Sequence, residues 1–421
     1  MTPARILVDP RVYRPFNLGD LAMCQVAIAR LATRFPGSTI EVFVREPDRA
    51  TMYAPARPIG TAGRSDWLYG AATRPLVRVL PDALGRRLLY AERRVRRRHP
   101  RAARAVLHAG RRALRRRDHP GGDFVRSIAE CGLLVVTGGG LLTDAFERGA
   151  DAVLDELELA LSFGVPVAML GQGLGPLESS RLRRRAREVL PRLGLIASRE
   201  GRFGPALLRS LGVDPSRVVV TGDDAVELSY ELRLQRPAAA GLGVSLRVAG
   251  YSDLDDGDLE RVGSVLRAAA ARLGTGFVPV PTSSHPGELD IVSIRRALGT
   301  ETEISFPASP AEAAAAVGRC RVVVTGSYHV AVFALAQGIP AVCLTKSAYY
   351  NWKHRGLAHL FGRGCNVVDL RSRALEDELA ARVEAAWSCA EEVREPLLAA
   401  ARRQIEAGRE AYDRLPGLLS R

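Results

Sequence analysis

The 421-residue chain carries 60 Lys plus Arg, yet only two of them are lysine, and both fall in "TKSAYYNWKHR", residues 345–355. Arginine codon bias accounts for the scarcity but not for where the two survivors sit. A lysine ammonium is a compact charge whose pKa shifts readily when buried, so a lysine just after the apolar run "IPAVCL", in what reads as a loop at a strand's carboxyl end, suits an anion site; Lys346 itself reads as an ordinary loop charge. Two arginines stand in comparable places. Arg199 follows an apolar strand in "ASREG", and Arg247 ends one in "VSLRV". Arginine is so frequent here that either one alone would be an ordinary surface residue. In "TGSYHVAVFALAQG", His329 follows a strand and opens a helix, with Ser327 and Tyr328 before it. A helix N-terminus attracts anions and lowers the pKa of a nearby histidine. Three polar turns share this setting. In "FNLGDLA", Gly19 allows a tight turn and Asp20 is expected to cap a helix whose free N–H groups face a ligand, so Asn17, Gly19 and Asp20 are expected substrate contacts. In "TGGGLLTD", Gly138, Gly139 and Gly140 leave backbone open to a ligand, and in "GQGLGP" Gln172 and Gly173 do the same. Neither a phosphate-cradling GxxxxGK[ST] loop nor a GxGxxG fingerprint is present. The chemistry suggested is the gripping of a multiply charged small anion beside a proton donor.

Positioning such residues requires strands alternating with helices, and the chain reads that way. Strands are expected at "RILVD", "TIEVFV", "CGLLVVT", "VPVAML", "LGLIAS" and "RVVVTG", with helices between. The pattern stops at "LRLQRPAAAG" and restarts with "LGVSLRV", "GFVPVP", "RVVVTG", "IPAVCL" and "CNVVDL". This is the α/β signature of two doubly wound, Rossmann-like units, with the ligand at the carboxyl ends of the strands in the cleft between them. The expected boundaries are 1–235 for the first unit, with a basic helical insertion at about 80–120, then 241–395 for the second, and a closing helix over 396–421.

Composition narrows the function classes. Six scattered cysteines form no CxxC pair and cluster with no histidine, which argues for buried free thiols in a reducing compartment and against a metal. The start "MTPARILVDP" lacks a signal-peptide pattern, and no apolar run reaches a bilayer-spanning length, so a cytoplasmic position is expected. The net charge of +14 suggests a nucleic-acid binder until it is located. Residues 86–117 hold 14 arginines and one acid, so nearly all of the excess belongs to one segment. That segment reads as a helical hairpin with Leu84, Leu88 and Val95 near one face, a break at Pro100, and a second arm from Ala102 to Leu114. No stacking platform or DNA-reading motif accompanies it, so nucleic acid is not the expected partner. An anionic membrane surface suits the charge better.

The motifs "NLGDLA", "TGGGLLTD", "GQGLGP", "SREG", "TGDDAVEL", "GVSLR", "VVTGSYHVAVFALAQGIPAVCL" and "YYNWKHRGL", taken in this order, resemble the polysaccharide pyruvyl transferases. The resemblance spans roughly residues 5–30 and 130–365 and leaves out the basic hairpin. It implies a fold similar to B-type glycosyltransferases. It also implies transfer of the pyruvyl unit of phosphoenolpyruvate onto a sugar of a polysaccharide or lipid-linked glycan, with a pyruvate ketal and free phosphate as products and no cofactor beyond the donor. His329 matches the family's general acid, Arg199 its arginine after the "SRE" strand, and Lys353 its lysine before "GL". Many members carry arginine in an "S-R-x-H" pattern where this chain has "GSYH", which shifts the expected anion contact to Arg247 or Lys353. Two other classes fit the same residues: a nucleotide-sugar glycosyltransferase on this fold, and a basic phosphate-binding module without catalysis.

Overall fold

The computed structural model describes residues 4–11, 13, 14, 16–47, 51–69, 79–99, 102, 103, 105, 124–233, 240–299 and 304–419. Two all-parallel sheets organise the chain. The first has seven strands: β1 (Arg5–Asp9), β2 (Thr39–Val44), β3 (Arg57–Gly60), β4 (Leu133–Thr137), β5 (Val167–Gln172), β6 (Leu195–Ser198) and β7 (Val218–Val220). Their order is β3-β2-β1-β4-β5-β6-β7. The second has β8 (Gly241–Ser245), β9 (Phe277–Pro279), β10 (Cys320–Thr325), β11 (Ala341–Thr345) and β12 (Cys365–Asp369), ordered β12-β11-β10-β8-β9. Two doubly wound α/β units are therefore present, as the alternation of patterns predicts. The sequence reading missed β3, because "RPIG" is short and contains a proline. It survives as an edge strand, where Pro58 need not donate to a further neighbour.

Central strands such as Leu133–Thr137 and Ala341–Thr345 are buried along their whole length, as parallel strands covered on both faces must be. In each sheet the strand order reverses once, between β1 and β4 and between β8 and β10. At such switch points the connections diverge to opposite faces and leave a crevice at the strand carboxyl ends. The cores are not separate. Leu18, Ala22 and Met23 of the first unit pack in one cluster with Tyr328, Val330 and Phe333 of the second. The closing helix, Ala390–Asp413, starts ahead of the expected 396 and runs through Pro396. It buries Val393 and Leu397 against the second unit and Ala411 and Tyr412 against the first. Backbone bonds also join the units: Leu18 N donates to Thr282 O at 2.9 Å, Ser284 N donates to Phe16 O at 2.8 Å, and Asn17 bridges Ser283.

The basic segment differs from expectation. The helix Asp82–Arg98 forms and ends before Pro100, but Leu84 and Val95 are 54% and 59% exposed. Among the residues of this helix whose burial is described, Gly85 and Arg96 are buried and Leu88 and Glu92 half-buried, with Arg96 3.4 Å from Glu92. Most of the expected second arm lies outside the described residues. Among the described residues no helix is long and apolar enough to cross a membrane, and no group of His, Cys, Asp and Glu could hold a metal ion. The six cysteines are free, five of them buried.

Candidate active site

A cavity of about 350 Å³ lies where the two switch points face each other. Of the residues singled out in the sequence, Asn17, Asp20, Gly139, Gly140, Arg199, Arg247, Tyr328, His329 and Lys353 line it. Gly19, Gly138, Gln172, Gly173 and Ser327 do not, and each has a supporting task instead.

His329 sits in the first turn of the helix Tyr328–Ala336. This helix is apolar all round and wholly buried, which fixes the ring's place. The imidazole packs on Gly19, at the start of the helix Leu18–Arg34. A Cβ built at Gly19 would fall 1.9 Å from His329 Cγ. Gly19 is thus not a turn residue but a gap for the histidine. Nor does Asp20 cap its helix. Asn17 is the cap, its Oδ1 accepting from Gly19 N at 2.9 Å and Asp20 N at 3.4 Å. The Asp20 carboxylate is left facing the cavity.

Arg199 is 2% exposed and is held from three sides. Its Nη1 donates to Asp223 Oδ2 at 3.2 Å, and its guanidinium lies 4.3 Å from the Tyr328 ring centroid. On the third side, a Cβ at Gly173 would lie 2.5 Å from Arg199 Nη2. The glycine of "GQGLGP" therefore makes room for an arginine rather than for a ligand. Gln172 faces away from the cavity, its Nε2 donating to the carbonyls of Val136, Gly138 and Leu170 at 3.0 to 3.2 Å. Gly138 packs on Met23. Ser327 is buried with its Oγ 3.2 Å from Thr282 Oγ1, and it supplies no cap bond to the helix that follows.

The lysine stretch is a helix, Ala348–Phe361, capped by Ser347 Oγ accepting from Tyr350 N at 3.2 Å. Lys353 Nζ donates to Tyr349 Oη at 3.0 Å and lies 4.9, 4.5 and 5.4 Å from the ring centroids of Tyr328, Tyr349 and Tyr350. Burial, then the Arg199 charge, hold its pKa well below the usual lysine range. Lys346 belongs elsewhere. Its Nζ donates to Asp255 at 3.0 Å and Asp258 at 2.7 Å, the two halves of the capping box that starts the helix Asp256–Leu273. Arg247 lines the cavity, but its fork grips Asp290 through Nε and Nη2, both at 2.8 Å. Trp352 stacks on Phe203 of the first unit at 4.3 Å and is absent from the lining.

Several lining residues escaped the sequence reading. Arg11 follows β1 and pairs with Asp9 at 2.8 Å and with Glu156. Phe146 and Tyr251 also escaped it, and they form an aromatic wall with Tyr349 and Tyr350, which the sequence offers as residues to pack around a substrate; the Phe146–Tyr251 centroids are 5.0 Å apart. Asp223, behind Arg199, is 3.8 Å from His329 Nε2. Its neighbour Asp224 turns the other way, to Arg30 at 2.6 Å and Tyr412 at 3.1 Å. The motif "TGDDAVEL" was visible, but two adjacent aspartates give no hint of opposite tasks.

Burial, followed by the charges of Arg199, Lys353 and Arg247, pushes the His329 pKa well below the ordinary histidine value. Around it, His329 Nε2, Tyr328 Oη and Arg199 Nη2 are buried without a hydrogen-bond partner among the described residues. An orphaned buried polar atom costs about 1–3 kcal/mol, and more if charged. The three residues that carry these atoms all line the cavity, together with Lys353.

Comparison with known proteins identifies the family. The family model for polysaccharide pyruvyl transferase matches residues 17–347. The chain belongs to the polysaccharide pyruvyl transferase family. The match includes Arg199 and His329, while Lys353 lies just beyond its end. Among solved structures, this family member resembles a UDP-N-acetylglucosamine 2-epimerase from Listeria monocytogenes, itself described as putative. That likeness has TM-score 0.56 and 12% identity, covering 100% of this chain and 96% of that one. The S. aureus MnaA–UDP structure gives TM-score 0.55 and 12% identity, covering 95% and 94%. The glycotransferase of kitacinnamycin gives TM-score 0.50 and 16% identity, covering 100% of both chains. At these identities the likeness concerns the fold alone: two Rossmann-like domains of the B-type glycosyltransferase kind. No curated protein matches the sequence.

Proposed function

We propose that the chain transfers the pyruvyl group of phosphoenolpyruvate to a sugar of a surface polysaccharide or glycolipid, forming a pyruvate ketal and releasing phosphate without a metal or cofactor. The observation that carries this reading is the set of orphaned donors on the cavity wall. Phosphoenolpyruvate presents a carboxylate and a phosphate, which need several fixed cations and hydrogen-bond donors at once. Arg199 Nη2, Tyr328 Oη, His329 Nε2 and Lys353 Nζ are such a set. Tyr328, or Ser327 before it, stands where many members carry arginine. In this chain the Tyr328 ring supports both Arg199 and Lys353, so the cations are supplied from the first unit and from the helix Ala348–Phe361. Arg247, committed to Asp290, contributes field rather than a free fork.

Ketal formation begins with a proton delivered to the donor's methylene carbon. His329 is the group for it. Its depressed pKa keeps it neutral in the free protein. An incoming anion that neutralises Arg199 and Lys353 removes two of the charges that repel its proton, so the donor loads its own acid. Calorimetry with phosphoenolpyruvate and with UDP-sugars tests the reading. Binding of phosphoenolpyruvate, with phosphate and a ketal methyl signal appearing together on turnover, is expected. Binding of the nucleotide sugars alone would overturn it in favour of glycosyl transfer.

The basic segment, residues 86–117, is proposed to rest on anionic lipid. The described outer face of the helix Asp82–Arg98 mixes exposed Leu84 and Val95 with exposed Arg87 and Arg94, a pattern suited to a membrane interface. Each arginine near an anionic leaflet adds about 1 kcal/mol. Salt-sensitive binding to vesicles containing phosphatidylserine, lost on deleting 86–117, is the expected result.

A further inference from the structure

We propose that Asp20 is the proton acceptor for the attacking hydroxyl, and that it forms, with Phe146, Tyr251 and Glu288, a subsite for a saccharide carrying two neighbouring free hydroxyls. The inference rests on the donor reading above.

Four observations support it. The first is that Asp20 is spare. Its expected capping role belongs to Asn17, and its carboxylate makes no hydrogen bond or ion pair with any described residue. The second is position. Asp20 is one residue from Gly19, which holds the His329 ring, so a proton acceptor and the proposed proton donor flank one cavity from the two units. The third is the division of charge. Orphaned donors lie at the buried wall, where Arg199, Tyr328 and His329 are at most 5% exposed. Asp20 and Glu288 line the same cavity, together with half-buried Phe146 and Tyr251 and exposed His285. A carboxylate repels a trianionic donor and accepts hydrogen bonds from a neutral polyol. The fourth is the aromatic wall. Sugars place their C–H faces on aromatic rings and their hydroxyls on carboxylates. Phe146 and Tyr251 offer the rings, while Glu288 accepts from Tyr251 Oη at 2.6 Å and so fixes the wall's orientation.

The proton count closes with these groups. His329 gives one proton to the methylene carbon, which becomes the methyl group. The first hydroxyl oxygen bonds to the central carbon and gives its proton to Asp20. The second hydroxyl then attacks the same carbon as the bond to the phosphate oxygen breaks, and its proton passes directly to the departing phosphate, because Asp20 already holds the first. The sum is donor plus diol to ketal plus phosphate, with the first hydroxyl's proton returned to His329. A cyclic ketal requires two hydroxyls close enough to close a five- or six-membered ring, which sets the acceptor class.

Asp20 must be ionised to act. Burial raises its pKa above the usual carboxylate value, Lys353, Arg199 and Arg247 oppose the rise, and Glu288 adds to it. Activity should therefore fall on the acid side as Asp20 takes up a proton.

The test compares wild type with Asp20→Asn, using phosphoenolpyruvate calorimetry and phosphate release with methyl hexosides bearing free neighbouring hydroxyls. Asp20→Asn should bind phosphoenolpyruvate within about threefold of wild type. Its turnover should drop by about 100-fold or more, the usual scale of a lost general base, and the acid limb of the pH–rate profile should disappear. Retained turnover would overturn the role, as would loss of phosphoenolpyruvate binding, which would assign Asp20 to the donor. A wild type that turns over none of the methyl hexosides would overturn the acceptor class. A wild type that does not bind phosphoenolpyruvate would overturn the donor reading itself, an outcome seen before any variant is measured.

Discussion

The His329 ring occupies the space that a side chain at Gly19 would need: a Cβ there would lie 1.9 Å from His329 Cγ and 2.2 Å from Nδ1. The two residues belong to different units and are 310 positions apart, so the proposed acid is aimed by a hydrogen atom on the opposite domain.

Gly19→Ala separates this packing from helix propensity. Within a helix, alanine is favoured over glycine by about 1 kcal/mol, so an unobstructed site would gain stability. The expected outcome is the reverse: a lower melting temperature and turnover reduced about 100-fold, on the scale of His329→Ala. Thermal melts and phosphate release check both parts. A stabilised, active Gly19→Ala would remove the contact from the argument.

Arg199→Lys keeps the charge but loses the planar fork shared between Asp223 and the Tyr328 ring. Phosphoenolpyruvate affinity should weaken about 10- to 100-fold, with a modest change in stability. Arg199→Met should be worse for the fold, because removing one partner of a buried ion pair costs about 3–5 kcal/mol. Calorimetry and denaturant titration separate the two effects.

Donor binding should take up protons near neutral pH. In the free protein His329 is neutral and the Lys353 pKa is depressed, both chiefly through burial and neighbouring cations. An anion between them favours the protonated form of each. Titrations in buffers of different ionisation enthalpy should show net uptake, reduced in His329→Gln. Proton release on binding would contradict the electrostatic account.

Acid should destabilise the fold through His354. This residue is fully buried between Tyr328 and Tyr350, and burial, with the nearby Lys353 charge, lowers its pKa to about 3. The unfolded chain binds a proton at about 6.5. Stability contributed by the neutral ring is therefore present above about pH 6.5 and is lost as pH falls towards 3. His354→Phe should flatten the dependence of melting temperature on pH over that range.

Lys346→Met and Lys353→Met should part company. Lys346 links the capping-box aspartates at the edge of the second unit, so its loss should leave donor affinity unchanged and lower stability slightly. Lys353→Met should weaken phosphoenolpyruvate binding at least tenfold.

The sheets were legible because each central strand is an apolar run closed by glycine or a polar turn. Only "RPIG" was missed, since a four-residue edge strand containing proline looks like a loop. The cations at strand ends were legible for the same reason: an arginine or histidine directly after a buried strand can only emerge at the sheet's edge. What sequence could not convey was the direction of support. Gly19 and Gly173 read as openings towards a ligand, but each accommodates a side chain from elsewhere in the fold. Tyr349, Tyr350 and Trp352 read alike as aromatics to pack around a substrate or close a loop, but only the two tyrosines line the cavity, while Trp352 stacks on Phe203. Asp20 read as a cap, since the cap three residues earlier needed only one asparagine oxygen to make it redundant.

The strand-like bridge between Phe16–Leu18 and Thr282–Ser284 bears on how substrates come and go. Two-domain enzymes are usually pictured as jaws that swing about their linker. Here a swing would first have to strip backbone bonds beside the cavity mouth. Thr282 and Ser283 are held just as firmly to the second unit, their backbone N–H groups donating to Asp290 at 2.8 Å and Arg247 donating to Thr282 Oγ1 at 3.1 Å, so the segment locks the two together. Opening would therefore be opposed next to His285 and Glu288 of the cavity wall, so the entry of substrates is coupled to the seam between the units.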